Sequence, residues 1–83
     1  MIYIDLPADL NLEDDHGRNI ARLAEAVNPE AVTPGAVLVA GASRGWSWAV
    51  IEEISDGFVY LRPISAREAA EHGPLVTPLP RSA

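Results

Sequence analysis

The sequence predicts an α+β domain built on a small antiparallel sheet or barrel, and three observations carry that prediction. Asp56-Gly57 separates two strand-like runs, Trp46–Ile54 and Phe58–Ile64, and Asp-Gly in that setting is the strongest short-range hairpin signal. An apolar run, Ala36–Gly41, follows the turn pair Pro34-Gly35 and supplies a third strand, giving a meander over about 36–63. Finally, Ile20, Leu23, Ala24 and Val27 recur at helical spacing, and Ser65-Ala66-Arg67-Glu68 is a capping box, so a helix is expected on each side of the meander.

Taken in order, Met1–Asp5 is rich in Ile and Tyr and reads as a short first strand, ended at Leu6-Pro7 because proline cannot donate to a ladder. Ala8–Glu13 reads as a connecting loop. Asp14-Asp15-His16-Gly17 then opens an amphipathic helix over about 14–27, with Asp14 or Asp15 as N-cap and Asn28-Pro29 as the stop. Ala36–Ala40 has no polar position, so both its faces should be covered, one of them by that helix. In the next strand Trp46, Trp48, Val50 and Ile54 share one face, with Ser47, Ala49 and Glu53 on the other. A two-residue turn at Asp56-Gly57 pairs Ser55 with Phe58, Ile54 with Val59 and Glu53 with Tyr60. It also sets Glu52 opposite Leu61 on the apolar face, so either Glu52 lies at the rim or a bulge at Gly57 shifts the register. A short helix over 66–72 ends at Gly73-Pro74, Leu75–Thr77 reads as a last short strand, and residues 78–83 form an extended tail outside a single domain of residues 1–77. Strand, helix, meander and helical turn in this order resemble an SH3-like barrel carrying an inserted helix, a likeness of fold that carries no function.

Composition narrows the function classes. A chain of 83 residues makes one core, and without cysteine it has neither disulfide nor thiolate-metal staples, so its 48% hydrophobic residues must supply the stability, with help from self-association. All six basic residues are arginine, a usage that points to a GC-rich bacterial source. The net charge of −6 is uneven: residues 1–30 hold seven acids against two arginines, residues 31–83 five against four. That balance opposes binding to a phosphate backbone. No run reaches the length of a membrane span, and the first residues lack a signal-peptide pattern, so cytoplasmic residence is expected.

Asp14-Asp15-His16-Gly17, the run Pro34-Gly35-Ala36-Val37-Leu38-Val39-Ala40-Gly41 and Leu61-Arg62-Pro63 together resemble a pattern in a group of small bacterial proteins. In these a D-D-x-G helix start precedes a P-G-A-hydrophobic-V-A-G strand, a paired strand and a leucine-arginine-proline ending. The resemblance implies a shared fold and no catalytic activity.

Candidate chemistry is sparse. Asp9, Glu13, Asp14 and Asp15 with His16 form the one acidic cluster, but counting from Asp9 the sixth position is Asp14 where an EF-hand needs glycine, and the twelfth is Ile20 where it needs glutamate. Helix capping accounts for these acids. No serine sits in a nucleophile elbow, and the adjacent Glu52 and Glu53 point to opposite strand faces, which prevents a carboxylate pair. Gly41–Gly45 has the glycines of a phosphate loop without its spacing. Arg44-Gly45-Trp46-Ser47-Trp48 is the informative stretch, since Trp and Arg dominate binding hot spots and the two indoles project to one face. Tyr60 and Arg62 on the neighbouring strand extend such a patch. The competing role for both indoles is core filling in a chain with one phenylalanine.

The expectation is therefore a non-enzymatic protein-interaction module or accessory subunit without cofactor or metal, binding a protein partner or itself through Arg44, Trp46, Trp48, Tyr60 and Arg62. Two other readings compete. One is a nucleic-acid-associated SH3-like domain stacking bases on Trp46 and Tyr60 with Arg44 and Arg62 on phosphates, opposed by the acidic N-terminal third. The other is an acidic regulator of a basic partner.

Overall fold

The computed structural model describes residues 3–72. Five strands, β1 (Leu6–Glu13), β2 (Asn19–Arg22), β3 (Val37–Ala42), β4 (Gly45–Ser55) and β5 (Phe58–Ile64), close into a barrel in the order β1-β2-β5-β4-β3. One short helix, α1 (Ala66–Glu71), follows, and two 3₁₀ turns, Leu23–Glu25 and Pro29–Ala31, bridge β2 to β3. The molecule is a small α+β barrel of the SH3-like kind. All neighbouring strands run antiparallel except β1 and β3, which run parallel and close the wall.

The meander forms as its turn chemistry dictates. Asp56 and Gly57 both have positive φ, +53° and +80°, the signature of a type I′ turn whose twist matches the flanking strands. Ser55, Ile54 and Glu53 oppose Phe58, Val59 and Tyr60, and then Ile51 opposes Leu61, so Glu52 is the extra residue of a bulge in β4. The awkward Glu52–Leu61 pairing is avoided by a bulge at Glu52 itself, with the Gly57 turn left regular. The bulge also reverses the strand's phase. Trp48 and Val50 face out of the barrel, whereas Ile54 packs with Ile51 and Ala49 inside it.

Two apolar layers result. The barrel interior is filled by Leu6, Leu38, Ala40, Ile51, Val59 and Leu61 with smaller neighbours. Outside, Val37, Val39, Trp48, Val50 and Ile64 form a second cluster with Ala69 of α1 and Ile4. This is why β3 carries no polar residue: its two faces belong to two different cores. The cover is α1 and Ile4, not the N-terminal helix expected from sequence. Ser65 caps α1 by accepting a hydrogen bond from the Glu68 amide at 3.0 Å.

The N-terminal third departs from the sequence expectation. Residues 14–27 do not form a helix. Asp14 to Gly17 make the turn between β1 and β2, in which the Gly17 and Asp14 amides donate to the Asp14 and Arg18 carbonyls at 3.1 and 2.7 Å. Asp14 performs N-cap chemistry on this turn, its Oδ1 accepting from the His16 and Arg18 amides at 2.8 Å each. The helical stripe lies largely outside the core, with Ile20 and Val27 exposed and Asn19 wholly buried. Pairing with β5, in the register Asn19–Leu61 through Arg22–Phe58, decides the conformation. The first strand starts at Leu6 and runs through the stretch read as loop, with Pro7 opposite Gly41 near its start. Between Ala8 and Glu13 it advances five residues while β2 advances only two, from Ala21 back to Asn19. Asn19 fills that irregularity by donating both amide hydrogens, to the Leu10 and Leu12 carbonyls at 3.1 and 2.7 Å. The expected strand over Leu75–Thr77 and the tail over 78–83 lie outside the described residues.

Candidate interaction surface

The hairpin joining β3 to β4 turns at Ser43-Arg44, between the paired Ala42 and Gly45. Gly41, at φ +125°, faces the start of β4 so closely that a Cβ there would lie 2.8 Å from the Trp46 Cα, so only glycine fits. The two chains are thereby pressed together at the tip, which holds Arg44 exposed and Trp46 41% exposed. Trp48, grouped with the interaction residues from sequence, is a core residue. It is only 6% exposed and packs in the outer layer beneath α1.

Tyr60 and Arg62 do not extend the Arg44–Trp46 tip. Tyr60 opposes Glu53, seven residues along β4 from Trp46, which is about 23 Å at roughly 3.3 Å per residue. The Arg18 guanidinium lies 4.6 Å above the Tyr60 ring and bridges the Asp14 and Glu53 carboxylates at 2.9 and 3.0 Å. Arg62 is held by Glu52 at 3.1 Å, with Glu68 of α1 at 3.9 Å. The five residues therefore divide into an exposed tip, a core indole, a tyrosine covered by Arg18 and an arginine held by Glu52 and Glu68.

Burial raises the Asp14 carboxyl, but hydrogen bonds from the Arg18 and His16 amides and from the Arg18 guanidinium outweigh it and leave its pKa below the ordinary value. The Arg18 pKa is raised, chiefly by its hydrogen bond to Glu53. Among the described residues no cluster of three or more His, Cys, Asp or Glu side chains is placed to hold a metal ion.

Sequence reasoning missed a second feature. The Pro7–Gly41 pair is the last between β1 and β3, which ends one residue later at Ala42. A cleft of about 410 Å³ lies against this part of the wall, with Pro7, Ala8, Ile20, Ala21 and Phe58 as apolar lining and Asp9, Arg22 and Glu25 as its charged lining. A second of about 360 Å³ runs between Ala8–Asn11 of β1 and Ala42, Arg44 and Gly45 of the hairpin tip. The two share Ala8, Asp9 and Ala42. The strand alternation Asn19-Ile20-Ala21-Arg22 carried the signal for this surface, but it was submerged in a longer helical pattern.

No family model, curated protein or solved structure matches the chain. No helix among the described residues is long and apolar enough to cross a membrane.

Proposed function

We propose that this barrel is a non-enzymatic, cytoplasmic protein-interaction module that presents the Arg44–Trp46 hairpin tip to a partner protein. The observation that carries the reading is the Trp46 indole, 41% exposed on a hairpin locked by the close approach at Gly41. A large aromatic on a rigid support loses little conformational freedom on docking, and Trp with Arg is the pairing most enriched at binding hot spots. Arg44 adds an exposed cation with no carboxylate partner among the described residues. Of the acids weighed for catalysis, Asp14 caps a turn and Glu52 and Glu53 hold arginines.

Affinity capture followed by mass spectrometry tests the proposal. The wild-type chain should retain a protein that Trp46→Ala and Arg44→Glu both release while keeping the wild-type melting temperature. Equal retention by all three forms, or none by the wild type, would refute it.

A further inference from the structure

The larger cleft gathers both signs of charge around an apolar hollow. Ala21 and Val59, paired across β2 and β5, are buried in the barrel interior, so alternation along each strand turns Ile20, Arg22 and Phe58 outward. Arg22 lies directly opposite Phe58. Ile20 and Phe58, 40% and 41% exposed, wall the hollow together with Pro7. Its 410 Å³ falls within the range of small-ligand pockets, roughly 300–1,000 Å³. Three charged side chains line it, Asp9, Arg22 and Glu25, and among the described residues none of them forms a salt bridge, with one another or with any other group. Each stands on a fixed support. Arg22 is held in the register of β2 with β5, and the Asp9 Oδ1 accepts from the Asn11 amide at 3.0 Å, which leaves Oδ2 for a second donor. Glu25 ends the 3₁₀ turn whose Leu23 amide donates to the Gly57 carbonyl at 3.0 Å.

We infer that this hollow binds a free α-amino acid with a large apolar side chain. Its ammonium is held by Asp9 and Glu25, its carboxylate pairs with the Arg22 guanidinium, and its side chain lies against Ile20 and Phe58. The mixture of charges selects this class. A simple anion meets two carboxylates, a simple cation meets the guanidinium, and an uncharged apolar molecule leaves all three without a partner. A zwitterion gives each of them a group of opposite sign, and a guanidinium matches the two oxygens of a carboxylate. Covering Ile20 and Phe58 removes apolar surface from water at the same time. The inference goes beyond the partner reading and uses neither Arg44 nor Trp46, so either can fail without the other.

Titration of the isotope-labelled full chain with L-phenylalanine, followed by amide NMR, tests it. Shifts should saturate at millimolar ligand and centre on Asp9, Ile20, Arg22, Glu25 and Phe58. Phenylpropionate, which lacks the ammonium, and phenethylamine, which lacks the carboxylate, should each bind about tenfold more weakly. Arg22→Gln should bring L-phenylalanine down to the affinity of phenethylamine without weakening the amine itself. Asp9→Asn/Glu25→Gln should bring it down to the affinity of phenylpropionate without weakening the acid. These exchanges of preference are not produced by a variant that is merely damaged, and all three positions are exposed, so the wild-type melt should be kept. Trp46→Ala should leave the titration unchanged. No saturable shift at the cleft residues up to about 20 mM, equal affinity for the uncharged N-acetylphenylalanine amide, or an Arg22→Gln chain that still prefers the amino acid to the amine would each overturn the inference.

Discussion

Asn19 is the residue on which the N-terminal half turns. Its side chain is fully buried and holds two carbonyls of β1 that have lost regular pairing with β2. Both bonds are part-buried and the Asn19 Oδ1 is buried without a partner, so Asn19→Ala should cost about 1–2 kcal/mol, read as a lower denaturant midpoint at unchanged slope. Gly41 is equally constrained, and Gly41→Ala should destabilise the β3–β4 hairpin by about 2 kcal/mol or more, measured the same way. Asp14 links this geometry to pH. Its folded pKa lies below the unfolded value, so the stability it contributes is present above the unfolded pKa and is lost as pH falls through the folded one. Chemical denaturation should therefore show the wild type losing stability below about pH 4, with a shallower loss in Asp14→Asn.

Among the elements, α1 is a six-residue helix exposed everywhere except at Ala69, yet through that residue it helps cover the outer layer. Its N-cap is the interaction most easily removed. Ser65→Ala should cost about 1 kcal/mol, a fall of roughly 4–8 °C in Tm for a domain of this size, read by thermal melting. The β4–β5 hairpin shows how one local irregularity reorganises a strand. Ahead of Glu52 the even-numbered residues of β4 face outward, and after it Ile54 faces inward. The sheet keeps a carboxylate out of the barrel by adding one residue, and Glu52 then finds Arg62 at the surface.

On the scale of the whole molecule, the two indoles have opposite fates because the closed barrel has an outer face that α1 covers only in part. Trp48 lies under α1 and Trp46 beyond it. Trp48→Ala should destabilise by about 3–5 kcal/mol, whereas Trp46→Ala should stay within about 0.5 kcal/mol of wild type; paired denaturation curves check both. If the two variants lost equal stability, the division into core and surface would be wrong.

Much of the barrel was legible because its signals are local. Asp56-Gly57 needs no tertiary help to form a type I′ turn, Ser65 with Glu68 starts a helix from within, and an apolar stretch such as β3 can only be a strand covered on both sides. The candidate site was legible in part: Arg44 and Trp46 stand beside a turn in sequence and in space, while Trp48, Tyr60 and Arg62 were grouped by strand adjacency alone. Residues 14–27 were misread because their apolar spacing suits a helix, but the free energy of closing a barrel outweighs a short helix's own propensity.

What the amino-acid order determined unaided is the meander, its turn and the capped helix, since each rests on contacts between near neighbours in the chain. What only the tertiary structure decided is the path from Leu6 to Arg22, the bulge at Glu52 and the partition of the two tryptophans. Those depend on which strand lies alongside, and a barrel makes that choice through contacts between residues far apart in sequence.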